Sequence, residues 1–290
     1  MIKFPRTIRS QKQASNKYLI LCCLLVLVSA CHTKPFATSF DYGTQNETAR
    51  SYFFKGFEEI LDNGRWTESE EAFRKAVELD PDWMLGKSLV GRITRSLEER
   101  TELLNELELK KNQTGEYERL LLDVNLLSLE AANNRDQGIK NSEIFTKKRN
   151  RLAERNFGII SRKFPKDNYF KAEYIEYLHH NYGAKVALDS LNTLATDAQM
   201  KLGFYISYSA TLALELGNTK KALSLSTELD ETLNDPSFTS PFILKAEIYL
   251  AQDSLVKAKD YADKVVQMDS NHLIAIGLQA TINSRLETKK

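Results

Sequence analysis

Cysteine is scarce in this chain of 290 residues, and the three that occur, Cys22, Cys23 and Cys31, all lie near the start. From residue 32 onward no intrachain disulfide can form, so whatever folds there must be held by its own core. Proline and glycine are few, 6 and 12, which excludes collagen-like and Pro/Gly-rich low-complexity chains. No stretch alternates polar and apolar residues with a sustained period of two, so sheet structure is not indicated. No apolar run reaches the roughly 20 residues that a helix needs to cross a bilayer. Neither the HExxH spacing nor a paired-cysteine spacing occurs, so no metal and no cofactor is expected. Charge is balanced at a formal +1, which argues against a nucleic-acid partner.

What the first 35 residues do contain is ordered by type. Lys3, Arg6, Arg9, Lys12 and Lys17 come with no acidic residue, Tyr18 to Val28 is almost wholly apolar, and small residues follow. This is the layout of a secretory signal. The junction Val28-Ser29-Ala30-Cys31 resembles the bacterial lipobox. That resemblance implies cleavage before Cys31, a diacylglyceryl group on its sulfur and acylation of the new amino terminus. Two or more acyl chains hold a protein stably at a membrane, whereas one holds it marginally. The alternative is an ordinary cleaved signal with an incidental cysteine. His32 replaces the aspartate that retains many lipoproteins at the inner membrane, so the expected place is the bacterial cell envelope, at the outer membrane, facing the periplasm or the surface. Loss of residues 1–30 leaves 260 residues with a formal charge of −4. Residues 31–48 are polar and read as a flexible tether.

Residues 49–270 carry helical periodicity throughout. In "GRWTESEEAFRKAVELDPDW" the residues Ser69, Phe73 and Ala76 sit at offsets of four and three. The same offsets recur at Ala187, Leu191 and Leu194, at Ala222, Ser226 and Leu229, and at Ala258, Ala262 and Val265. The last three sets begin 35 and 36 residues apart. Such offsets place small and large residues on one helical stripe, where the small ones let a second helix approach. Ala210 and Ala246, twelve residues earlier, supply another small side chain at that contact. "LDP" at 79–81 and "NDP" at 234–236 mark helix ends, with "MDS" at 268–270 in place of a third.

The pattern resembles the tetratricopeptide repeat, a helix-turn-helix unit of about 34 residues. The first unit, with Gly64, Trp66, Phe73, Ala76 and "LDPDW", departs from it by one extra residue between Gly56 and Gly64. Thr67 and Glu70 form a capping-box pattern. Residues 83–165 match poorly and read as a degenerate, elongated stretch. The expected fold is all-α: a right-handed superhelical solenoid of about six helix pairs, with residues 271–290 as a C-terminal capping helix and tail. The resemblance further implies a concave groove that binds a protein or peptide segment.

No catalytic constellation stands out, and no enzyme is expected. "GKSLVG" at 86–91 fails as a phosphate loop because Pro81 stands where a glycine is needed. His179 and His180 are adjacent and point about 100° apart on a helix, so they do not share an ion easily. Tyr169, Glu176, His179 and His180 fall where a first helix faces the groove and are the candidate contacts. The basic run Lys147–Arg155 reads as a solvated helix face, with acidic partners expected in Glu98–Glu108. Tyr205, Tyr208 and Phe204 read as packing between helices. The expected function is a lipid-anchored scaffold for an envelope protein or peptide, with a glycan- or peptide-binding nutrient-uptake protein as the alternative.

Overall fold

The computed structural model describes Phe40 and residues 42–288. The signal segment, the junction at Cys31 and most of the expected tether lie outside the described residues. The described residues hold thirteen α-helices: α1 (Glu47–Phe57), α2 (Trp66–Leu79), α3 (Met84–Ile93), α4 (Leu97–Lys110), α5 (Glu116–Asp136), α6 (Glu143–Lys163), α7 (Tyr169–Tyr182), α8 (Ala184–Leu194), α9 (Gly203–Glu215), α10 (Thr219–Thr232), α11 (Ser240–Ala251), α12 (Leu255–Met268) and α13 (Leu273–Thr288). Consecutive helices pack against each other along the chain. The result is an all-α solenoid of six pairs followed by a single terminal helix, and no strand occurs among the described residues.

The repeated stripe is the contact surface. Ala187, Leu191, Ala222, Leu229, Ala258, Ala262 and Val265 are fully buried. Ala210 and Ala246 on the preceding helices are fully buried too, and each joins the same apolar cluster as the alanine twelve residues on. In the poorly matching middle, α5 and α6 reach 21 residues each. Their sequence departs from the repeat because extra turns add positions that no standard pair contains.

The first pair is organised around aromatic rings. Phe53 sits between Phe57, Phe73 and Trp83, with centroids 4.7–6.1 Å apart. The Trp83 indole donates to the Tyr42 carbonyl at 2.6 Å. Tyr42 is itself buried and hydrogen-bonded to Asp167. The tether therefore does not extend to Thr48: Tyr42 and Thr44 are buried, and the Asn46 side chain caps α1 through the N–H groups of Thr48 and Ala49. A buried tyrosine and a capping asparagine outweigh the polar composition that made this segment read as solvent-exposed.

The extra residue between Gly56 and Gly64 has a direct structural expression. After Phe57 the chain continues as a π-helical turn, Glu58–Asn63. Such a turn inserts one residue into an α-helix without breaking it. It ends at Gly64, in the left-handed region at φ 77°. A Cβ at Gly64 would also lie 2.6 Å from the Ser240 nitrogen. Only glycine meets both demands.

That close approach is one of several contacts by which the coil returns on itself. The Phe204 N–H at the start of α9 donates to Asp62 Oδ1 at 2.8 Å, and a Cβ at Gly203 would lie 2.5 Å from the Asp62 carbonyl oxygen. The Thr239 N–H donates to the Asn63 carbonyl at 2.9 Å. At the far end Asp269 accepts from the Trp66 and Thr67 N–H groups at 2.8 and 3.0 Å, and from the Thr67 hydroxyl at 2.7 Å. This corrects the capping-box expectation. The donors at the start of α2 are satisfied by a carboxylate from the last pair, and Thr67 donates its hydroxyl to that carboxylate instead of capping the helix itself.

Burial works against ionisation of Asp269, but the hydrogen bonds from Thr67, Asn271 and Trp66 hold its carboxyl below the usual range. Asp62, with one backbone donor, is pushed by burial up to about 6. Asp269→Ala should destabilise the chain by about 1–3 kcal/mol at pH 7 in urea denaturation. A carboxyl held below its unfolded value contributes fully at neutral pH and loses that contribution as pH falls below about 4. The difference between wild type and Asp269→Ala should shrink in that range.

Candidate functional site

The returning coil closes over its own inner helices. The Tyr169 ring, at the start of α7, stacks on Phe57 at 5.1 Å with planes 9° apart. This expected groove contact is therefore covered by α1 and the chain's own aromatic residues. Deeper in the lumen, Arg92 of α3 pairs with Glu173 of α7 at 2.7 Å. An open concave groove is thus replaced by a narrower lumen. The first helices of the pairs were expected to line an open groove, but the contacts at Asp62 and Gly64 bring the turn after α1 against the starts of α9 and α11, and Asp269 brings the end of α12 against the start of α2.

What remains is a cavity of about 200 Å³. Ile60, Leu61, Gly64 and Trp66 line it from the first pair, and buried His272 and half-exposed Ile274 line it on the side of α13. Opposite stand Glu176 from α7, then Phe204, Ser207, Tyr208 and Thr211 from α9, and Ser240, Ile243, Leu244 and Glu247 from α11. Phe204 and Tyr208 stack at 5.1 Å. Trp66 lies 5.7 Å from the His272 ring, and its buried Nε1–H has no acceptor among the described residues. Ile274 is half exposed, at 53%, and marks the mouth.

The repeat builds this lining. Phe204 and Ser240, Ser207 and Ile243, Tyr208 and Leu244, and Thr211 and Glu247 are each 36 residues apart, and Glu176 precedes Thr211 by 35. Glu176, Thr211 and Glu247 therefore occupy one repeat position on three successive inner helices. The Thr211 hydroxyl donates to Glu247 at 2.9 Å. The Glu176 carboxyl makes no hydrogen bond to a described residue. Enclosure by protein raises it to about 8, with Glu173 adding to the rise and Arg92 opposing it. Enclosure likewise raises Glu247, against the Thr211 hydrogen bond and with help from Glu215.

His179 does not reach the cavity. Its Nδ1 and Nε2 are engaged by the Tyr208 hydroxyl at 2.8 Å and by Glu215 at 2.9 Å, which ties α7 to α9. His180 points elsewhere, is exposed, and is held below its ordinary value by partial burial, His179 and Arg149. Of the four expected contacts, Glu176 alone lines the cavity, and Glu247, Trp66 and His272 were missed. Comparing identical positions along the 35–36-residue period would have found Glu247 from Glu176. Trp66 and His272 come together only through closure, which no local pattern shows.

Other expected features fall elsewhere. The acidic residues of Glu98–Glu108 pair with Arg74, Lys87 and Lys110, and not with the run Lys147–Arg155, where Lys147 pairs with Glu143 on its own helix. Ser88 of "GKSLVG" is buried inside α3 and donates to the Leu85 carbonyl. Among the described residues no group of three or more His, Cys, Asp or Glu is arranged to hold a metal, and no helix is long and apolar enough to cross a membrane.

No family model and no curated protein matches this sequence. Among solved structures it is similar to a tetratricopeptide repeat protein from Parabacteroides merdae, at 16% identity and a TM-score of 0.39, over 81% of this chain and 99% of that one.

A raised carboxyl keeps its proton in the folded state, so its contribution is complete below the unfolded value near 4.5 and is lost as pH rises toward 8. Glu176→Gln removes that loss. The variant should melt a few degrees above wild type at pH 8 and with little difference at pH 5, each kcal/mol being worth about 2–4 °C in a chain of this size.

Proposed function

We propose that this chain is a binding scaffold held at a bacterial envelope membrane by lipid on Cys31, recognising an envelope protein or peptide segment through the lumen of its helical repeats. The observation that carries this reading is the cavity built from repeated positions on α7, α9 and α11. A helical-repeat body supplies a preformed surface without chemistry of its own, and a preformed pocket lowers the entropic cost of binding. The closed lumen limits what enters. It suits one projecting side chain or a chain end better than a long extended segment.

A second reading is a solute-binding lipoprotein for a glycan or peptide. The cavity's enclosure and its walls of Trp66, Phe204 and Tyr208 favour it, because small-ligand sites are concave and largely apolar with a few convergent polar groups.

Two experiments test the parts separately. Labelled fatty acid should be incorporated into wild type and not into Cys31→Ser, and equal labelling would defeat the anchor. A photo-crosslinking residue at Ile274, at the cavity mouth, should capture a defined envelope protein in cells. The same residue at Leu223 on the outer helix α10, exposed at 45%, should not. Capture at Leu223 alone would move recognition to the outer face. Failure at both sites, with a small solute bound by the purified chain, would favour the second reading.

A further inference from the structure

We infer that the lumen cavity takes an organic cation, an ammonium or guanidinium group, drawn by the carboxyls of Glu176 and Glu247 in its lining and walled by Tyr208, Phe204 and Trp66. This rests on reading the chain as a binding protein and names the chemistry of what it binds.

The acidic groups of the cavity have no cation of their own among the described residues. Glu176 and Glu247 both face the cavity. Arg92, the cation nearest Glu176, is already paired with Glu173 at 2.7 Å. His179, on the same helix, is engaged by Tyr208 and Glu215. His272, buried in the lining, is held toward its neutral form by burial, with Asp269 opposing. Around Glu247 the neighbouring groups are the Thr211 hydroxyl and the Glu215 carboxylate, again without a positive charge. Every basic group near the two carboxyls is therefore either committed elsewhere or kept neutral.

A carboxyl that is enclosed, faces open space and has no hydrogen-bond donor is costly to keep, since buried charge is ordinarily paired. Glu176 lines the cavity, is partly buried and has no hydrogen-bond donor among the described residues. Burial favours the protonated form of both carboxyls. A ligand cation relieves the cost by supplying the missing partner. The aromatic walls act in the same sense, because ring faces attract cations when water is excluded. The volume of about 200 Å³ admits a group the size of a lysine or arginine side chain with its stem against Ile60, Leu61 and Leu244.

The free amine and the basic side chain of a partner share this chemistry, and the test separates them. Calorimetric titration of the full-length chain would use n-butylamine, butylguanidinium and the blocked peptide acetyl-Ala-Lys-Ala-amide. The neutral controls are n-butanol and acetyl-Ala-Met-Ala-amide. At least one cation should bind about tenfold or more tightly than its neutral counterpart. Its affinity should rise from pH 6 to pH 8, because the carboxyl gives up a proton on binding. Glu176→Gln and Glu247→Gln should each weaken binding about tenfold, and Glu176→Gln should flatten the pH dependence. Asp189→Asn, on exposed α8, should change neither.

Binding of the amines and the peptide alike supports a site open to free solutes, and binding of the peptide alone supports a partner's side chain. Equal binding of cations and neutral controls, or no binding of any cation, overturns the inference even where a variant fails to fold, because wild type carries that comparison. A partner captured at Ile274 while no cation binds would leave the scaffold reading standing without this one. Cation binding without a captured partner would do the reverse.

Discussion

The structure depends on two carboxylates that cap helices from the far end of the coil. Asp269 satisfies the first N–H groups of α2 from the end of α12, and Asp62 takes the N–H at the start of α9 from the turn after α1. A helix N-terminus carries unsatisfied donors and a partial positive charge, so an acidic side chain is a natural partner. Here the partners are 203 and 142 residues away. A local cap stabilises one helix. These caps join the first pair to the fifth and sixth and turn a stack that would otherwise have open ends into a closed coil.

Closure decides what the inner surface becomes. In an open stack, first helices present a continuous groove. In this chain the Phe57–Tyr169 stack and the Arg92–Glu173 pair fill part of that space. The remaining volume lies where α7, α9 and α11 bring equivalent positions toward the Trp66 and His272 wall. Because the lining repeats with the fold, the cavity is a product of the architecture and not of an inserted loop. The same packing that shapes the cavity raises the Glu176 and Glu247 carboxyls, so the shape and the electrostatics of the site have one cause.

Helix count, pairing and the buried small-residue stripe were legible in the sequence because they follow from offsets of three, four and about 36 residues. The surplus residue before Gly64 was legible as an anomaly, and the π-helical turn is its physical meaning. The tether boundary was not, since Tyr42 is buried by Phe53 and Phe54 of the adjoining α1 together with Phe170 of the distant α7. The role of Asp269 was equally hidden. Its sequence context, Met268-Asp269-Ser270, looks like a repeat end with the proline missing, and its value lies in what the closed coil places beside it. Glu176 was found from its helix position, whereas Tyr169 and His179, from the same reasoning, proved to be packing and bridging residues. Periodicity identifies the inner face of a repeat but not which part of that face closure covers.

Closure itself can be measured most directly by amide hydrogen exchange. The Trp66 and Thr67 N–H groups begin a helix and have no partner within it, so their protection comes from Asp269 alone. The closed coil predicts that these amides, with those of Phe204 and Thr239, exchange slowly and on a timescale close to that of interior helical amides. Rapid exchange at all four, with the helices themselves still protected, would show an open stack and contradict the account.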